Sequence, residues 1–517
     1  MHYMNLYQNP FFYAILCFLI LGVQFIWLHF PKNGKVISEQ NGRVLDLFFC
    51  FCTAVAVGTL FHLYPGNHLH PTGDSAAFVF IGKQMLKGKV PYLDYFDHKG
   101  PLLYLIEYAG LMISRGSTNG LWVVEVINMA AALVILVRLC FLASERRSSV
   151  WLALLITFIA CGWRIYEGGN FTEEYALPWI SLALMVFFRF FQTGKYSKWY
   201  IFLLGVAFSA VFLLRANMIA VWVACMPLVL ICFLKEKRYR DLSICTGLFF
   251  TGVLAAACPI LLWLVHNNAL RPFIECYFSF NLLYSAEVGM NTAMMLHLGK
   301  VFSLMILPGV AAFIISLATR GKDALRRINF LCFAISFLML EMSGRDYPHY
   351  LITILPILSF SFADLFDWTA SLQNKTGYEP SRMLLLFSCF CIFAGSLGYH
   401  VLTGKKVWPE APAITWLKKN TVEKDDVLIL GNDAWIYLAS DRTTENRYFY
   451  QMPPIEISDE IRRDFVQELQ YHPSDVIIDP SGCFDQAEGW RREIYGQLLK
   501  DGYTYQTIDS FSIFQNP

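Results

Sequence analysis

Asp74, Asp97, His98 and Lys99 are the residues whose types and spacing carry chemistry. They lie in residues 73–102, GDSAAFVFIGKQMLKGKVPYLDYFDHKGPL, which hold three Asp, four Lys and one His in a chain otherwise poor in charge. From Ser75 to Gly88, Phe78, Ile81 and Met85 fall on one side, and Lys83 and Lys87 on another. This spacing predicts an amphipathic helix able to lie in the plane of a membrane interface, ended by Gly88. Asp74 at its start is an N-cap or an ionised carboxylate in a fixed position, and the two are compatible. Pro91 and Gly100-Pro101 then break the chain twice, enclosing Asp94, Asp97, His98 and Lys99, with Tyr92, Tyr95 and Phe96 expected at headgroup depth. One reading is a solvated interfacial loop with aromatic anchors. The other is a cation and carboxylates held where a lipid headgroup sits, with Lys99 gripping a lipid phosphate as a point charge.

Further polar residues mark other outer-face turns. Asn170-Phe171-Thr172-Glu173-Glu174-Tyr175 heads an apolar run. It reads equally as a helix start with acidic residues in the first turn and as Glu173 or Glu174 facing a cavity. Arg215 joins two apolar runs, as a snorkelling side chain or as one of several arginines around an anionic headgroup. Met342 to Tyr350 is a dense polar knot in which Arg345, His349 and Tyr350 are all phosphate-compatible donors. His68 and His70 precede Asp74 at a spacing that is weak for a metal site; plain interfacial histidines are the favoured reading, and no residue is assigned as a metal ligand.

These residues must be positioned by membrane helices. The chain has 517 residues, 56% apolar and 16% charged, with mean hydropathy +0.45; soluble domains are about a quarter charged. A polytopic α-helical membrane protein is indicated. The formal charge of +1 and the lack of a basic tail give no sign of a nucleic-acid partner. The 14 Cys form no CxxC pair and read as small apolar packing residues. The first ten residues lack the basic region of a signal peptide, so the first apolar run is expected to be a retained span.

A helix needs about 20 apolar residues to cross the hydrocarbon. Twelve candidates are 10–30, 44–63, 121–143, 150–165, 174–192, 199–215, 218–234, 242–264, 299–319, 328–343, 350–366 and 383–401. Lys and Arg concentrate in alternate loops, which places that set inside and residues 64–120 outside. Residues 1–401 are then the membrane domain. Residues 402–517 form a small extracytoplasmic α/β domain: DDVLIL (425–430) and DVIID (475–479) as buried strands, 461–470 and 488–502 as amphipathic helices, and TYQTIDSFSIF alternating as an edge strand. Gly431-Asn432-Asp433 is a plain turn or a ligand loop, and no GxGxxG indicates a dinucleotide.

Asp74, the amphipathic helix and GKVPYLDYFDHKGPLLY together resemble the first outer loop of GT-C glycosyltransferases, in the family 39-like branch of protein O-mannosyltransferases and lipid A aminoarabinose transferases. Ser75 stands where that branch often has Glu, and Gly100 where it has the first Pro of a pair. The resemblance covers this loop, and elsewhere it holds in topology. It implies a GT-C-like fold and a polyprenyl-phosphate sugar as donor substrate, with Asp74 as general base on an acceptor hydroxyl and Lys99 on the donor phosphate. Asp97 and His98 belong to the same motif, and Glu173 or Glu174 would hold sugar hydroxyls. The leaving group would be a lipid phosphate, its growing charge met by Lys99, Arg345 and His349. Asp74, at the usual pKa of about 3.9, would take the proton as the hydroxyl attacks, and the anomeric centre would invert. A glycan, lipid or protein acceptor, membrane lipid around the spans, and a bacterial cell membrane are expected; a divalent metal is left open.

Two other classes compete. A transporter or flippase expects ionisable residues in mid-membrane and inverted repeats, whereas the polar groups here crowd one face. A glycan polymerase or ligase using a diphosphate-linked donor would also have about twelve spans and outer arginines, but gives no reason for the Asp, helix and HKGPL arrangement.

Overall fold

The computed structural model describes residues 39–65, 71, 73–162, 165–288, 310–311, 313–315, 317–318, 324–341, 347–376, 412–480, 489–508 and 511–517. The helices used below are α1 (Glu39–Gly58), α2 (Gly73–Leu86), α3 (Pro101–Ile113), α4 (Asn119–Cys140), α5 (Arg147–Leu155), α6 (Thr172–Thr193), α7 (Lys198–Leu214), α8 (Ala220–Lys235), α9 (Tyr239–His266), α10 (Ala324–Glu341), α11 (Leu355–Thr376), α12 (Trp435–Ser440), α13 (Asp459–Tyr471) and α14 (Gly489–Lys500). Four strands follow residue 426: β1 (Val427–Ile429), β2 (Val476–Asp479), β3 (Thr504–Ile508) and β4 (Phe511–Gln515). The chain divides into two compact units. One is Met1–Asn67, Trp122–Ile260 and Val288–Lys405; the other is His68–Leu121, Leu261–Glu287 and Lys406–Pro517.

The first unit is a helical bundle. Among the described residues, four helices are long and apolar enough to cross a membrane: Asn119–Cys140, Thr172–Thr193, Tyr239–His266 and Pro348–Ala370. Five further candidates, at 44–63, 150–165, 199–215, 218–234 and 328–343, coincide with helices at least in part. Those at 10–30 and 383–401, and two thirds of 299–319, lie outside the described residues. α7 and α9 cross at two glycines. A Cβ on Gly205 would stand 2.0 Å from the carbonyl oxygen of Phe249, and one on Gly252 2.1 Å from that of Phe202. Small residues let apolar helices approach backbone to backbone, where dispersion must replace the hydrophobic drive. α8 and α10 meet at Cys225 and Cys332, free thiols 3.5 Å apart that pack as small apolar groups. Two buried carboxylates are paired with arginines: Asp46 with Arg147, and also with the Trp151 indole, and Asp364 with Arg326, bidentate at 2.7 and 2.6 Å. A buried ion needs such a partner, because its desolvation is otherwise uncompensated.

The second unit joins the 73–121 segment to the α/β residues. Its sheet has the order β1-β2-β4-β3, with β1 parallel to β2 and both other pairs antiparallel. The run TYQTIDSFSIF, expected as one edge strand, is two. TYQTI is the exposed edge, and FSIF is buried between β2 and β3. α2 also departs from expectation. It is buried nearly all round from Ser75 to Ile81 rather than on one stripe. The reason is tertiary: Phe80 lies 4.7 Å from the rings of both Phe449 and Tyr437, while Gly82 abuts Glu107 and Leu111 of α3. Tyr92, Tyr95 and Phe96, expected at headgroup depth, are buried for the same reason. The Tyr95 hydroxyl donates to the Thr444 carbonyl at 2.7 Å, and the Phe96 amide to that of Arg447 at 2.8 Å.

Candidate functional site

Two polar clusters emerge, one in each unit. In the second unit Asp74 sits inside the first turn of α2, where the helix dipole favours a carboxylate. Its Oδ2 lies 3.3 Å from the Lys99 Nζ. The Asp74 side chain is 36% exposed and that of Lys99 9%, so the pair faces water from the carboxylate side.

Lys99 is delivered by a turn that its neighbours fix. Asp97 is buried, and its Oδ1 accepts from the amides of His98 at 2.5 Å and Lys99 at 3.1 Å. The hydroxyls of Tyr104 and Tyr450 also face this carboxylate. The Tyr92 hydroxyl donates to the Lys99 carbonyl at 2.7 Å. Tyr92 itself has φ 70, a strained value for a bulky residue that persists because its surroundings over-determine it. Its amide bonds the Tyr95 carbonyl at 2.9 Å, and its ring packs against Tyr104 and Phe273. Asn281 Nδ2 holds the His98 carbonyl at 2.8 Å, and the His98 ring lies 3.4 Å from the Lys99 ammonium. Burial pushes the Asp97 carboxyl up to about 6, against the Lys99 ammonium and the two amides, which pull it down; Asp74 adds to the rise. Asp97 thus shapes the turn from inside, while Asp74, Lys99 and His98 form its polar front.

In the first unit Glu173 and Glu174 occupy the first turn of α6 and are buried. Glu173 pairs with Arg215, whose guanidinium carbon lies 4.0 Å above the centre of the Tyr350 ring. Thr172 Oγ1 donates to the other Glu173 oxygen at 2.8 Å. Glu174 turns back to accept from the Asn170 amide at 3.0 Å, closing its own helix start. His349 stacks on Phe171, ring centres 4.2 Å apart and planes at 5°, and its Nδ1 lies 2.7 Å from Glu167 Oε2. The structure therefore brings Glu173, Arg215, Tyr350 and His349 together. Arg345, like His68 and His70, lies outside the described residues.

Sequence reasoning missed Glu167. It opens a run of four left-handed residues, Glu167-Gly168-Gly169-Asn170, with φ from 45 to 94. The Gly-Gly-Asn sequence announces such a turn, though not that it aims Glu167 at His349. Tyr450 and Asn281 were missed too, being distant in sequence. Among the described residues no group of three or more His, Cys, Asp or Glu is placed to hold a metal ion.

Comparison with known proteins places this geometry in a fold. Two crystal structures of ArnT from Cupriavidus metallidurans are similar. The one bound to undecaprenyl phosphate has TM-score 0.59, and the apo state 0.54; each is 12% identical and covers 93% of this chain and 99% of its own. The chain has the GT-C fold of these structures. No curated protein sequence matches it. Residues 37–367 match the family model of the competence-induced protein Ccs4 N-terminal domain, and the chain belongs to that family.

Proposed function

We propose that this chain is an integral-membrane glycosyltransferase. It moves a sugar from a polyprenyl-phosphate donor to a hydroxyl acceptor on the outer face of a bacterial inner membrane. The observation that carries the reading is the 3.3 Å approach of Lys99 Nζ to Asp74 Oδ2, within a fold like that of ArnT, one of whose structures binds undecaprenyl phosphate.

The chemistry balances without further reagents. The acceptor oxygen attacks the anomeric carbon, and the bond from that carbon to the phosphate oxygen breaks on the opposite face. The hydroxyl proton passes to Asp74, and the electron pair leaves with the phosphate, whose charge Lys99 meets. An arriving phosphate also competes with Asp74 for the ammonium. Donor binding therefore loosens the pair and frees the carboxylate to accept a proton. Asp97 and His98 position Lys99. We assign Glu173, Glu174, Arg215, Arg345, His349 and Tyr350 to substrate recognition. Residues 1–401 are assigned as the membrane domain and 402–517 as an extracytoplasmic domain.

The test is turnover by the purified full-length chain supplied with polyprenyl-phosphate sugars and candidate acceptors. Free polyprenyl phosphate is expected, with loss of its release in Asp74→Asn. Retained turnover in that variant removes Asp74 from the mechanism. Movement of the lipid across a vesicle without sugar transfer would instead identify a flippase.

A further inference from the structure

A second polar feature lies at the other end of α6, about 30 Å along the helix from Glu173 at the 1.5 Å rise per residue. Here α6 and the start of α7 enclose a cleft of about 450 Å³. Its depth is apolar, formed by Met185, Val186, Phe190 and Ile201; its rim carries Arg189, Lys195, Tyr196 and Tyr200. Arg189 and Lys195 are exposed, and neither has an ion-pair partner among the described residues. The nearby carboxylates are already engaged. Asp241 accepts from Arg238 at 2.8 Å and from the Tyr196 hydroxyl at 3.0 Å, and Glu236 pairs with Arg238.

The cleft wall is fixed in advance. Gly194 adopts φ 67 and closes α6 through its amide to the Phe190 carbonyl at 2.7 Å. Arg238 Nη1 holds the Gly194 carbonyl at 3.0 Å, so the loop is tied from the next turn of the bundle. The level in the membrane is marked as well. Trp199 is 63% exposed and stacks on Phe202, and Tyr196 and Tyr200 flank it, as aromatic side chains do at a lipid–water boundary.

We propose that this cleft binds the headgroup of an anionic phospholipid, with the phosphodiester between Arg189 and Lys195 and the first acyl carbons over Phe190 and Ile201. Basic pockets between membrane helices take such headgroups, and the volume suits one. The site is independent of the glycosyl-transfer reading.

The experiment is native mass spectrometry of the full-length chain in a neutral detergent, titrated with phosphatidylglycerol or phosphatidylcholine. A cation near a membrane surface contributes roughly fivefold in affinity. Arg189→Gln/Lys195→Gln should therefore weaken phosphatidylglycerol binding about thirtyfold, and Lys195→Arg alone, which keeps both charges, should bind it about as tightly as the wild type. Phosphatidylcholine should bind weakly to both forms. If the double variant does not purify as a folded protein, Lys195→Gln alone should show the fivefold loss. Equal retention of the two lipids, an unchanged affinity in the glutamine variants, or displacement by an equal concentration of inorganic phosphate would overturn the proposal.

Discussion

Asp74 and Lys99 lie 25 residues apart in the chain and 3.3 Å apart in space. Two different devices bring them there. The first turn of α2 holds the carboxylate, and a turn built around buried Asp97 holds the ammonium. If one is base and the other phosphate ligand, their substitutions should separate. Asp74→Asn should reduce release of polyprenyl phosphate by about 10²–10⁴-fold, the usual worth of a general base. It should leave lipid-phosphate binding unchanged or tighter, because the ammonium is no longer shared. Lys99→Gln should do the opposite first: weaken binding by roughly tenfold or more, in line with one lost charge-assisted bond. Parallel losses of binding and turnover in both variants would argue for a purely structural pair.

Asp97 gives a pH dependence whose sign can be worked out. Its carboxyl is raised to about 6 by burial, above the usual value of about 3.9. The folded protein therefore binds more protons than the unfolded chain between these values. The associated stability is fully present below about pH 4 and lost as pH rises through about 6. Relative to Asp97→Asn, the wild type should gain on the order of 2–3 kcal/mol as pH falls from 7 to 4. Thermal melting of both proteins across that range measures it, and a constant difference between them would contradict the placement of Asp97. Protonation also removes a negative charge beside Lys99, so binding of a permanently singly charged phosphodiester lipid should strengthen below pH 6 in the wild type and not in Asp97→Asn.

The pairing of Asp74 with Lys99 was legible in the sequence because local signals define it: an acidic helix start, and a turn bounded by Pro91 and Gly100-Pro101. Strands VLI and VIID were legible as short apolar runs. The fate of Tyr92, Tyr95 and Phe96 was not. An aromatic ring at a membrane interface and one in a protein core have the same local sequence, and the partners that decide, Phe273 for Tyr92, Phe449 for Tyr95, and Phe280 and Tyr448 for Phe96, come some 180 to 350 residues later. Burial of α2 on its Lys-free sides was hidden for the same reason. The β3–β4 hairpin was read as one strand because alternation alone does not mark where a strand reverses.

The Glu167–Asn170 turn makes a sharp prediction. Gly168 has φ 94, and a Cβ there would stand 2.4 Å from the His62 ring. Gly168→Ala adds left-handed strain to a clash, so it should cost about 2–3 kcal/mol. Because the turn carries Glu167 to His349, the lesion should displace that contact as well. Melting in detergent and the His349 imidazole resonances would both register it. Gly194→Ala, at φ 67 with open space around its Cβ, should cost only about 1 kcal/mol by strain alone, so the excess at Gly168 measures the clash.

The Glu173–Arg215 pair separates structure from function most cleanly, because buried charges fail asymmetrically. Removing one partner leaves the other ion desolvated, at a cost of about 3–5 kcal/mol, whereas replacing both by apolar residues of similar volume is often neutral. Glu173→Gln and Arg215→Met alone should therefore both destabilise the protein strongly. Glu173→Leu/Arg215→Met should recover most of that loss, Met keeping contact with the Tyr350 ring that the guanidinium now covers. If the pair served only packing, the double variant would regain turnover together with stability. If Glu173 or Arg215 recognises substrate, the restored protein should melt near the wild-type temperature yet bind or turn over substrate at least tenfold less well. Melting temperature and turnover measured on the same preparations decide between the two.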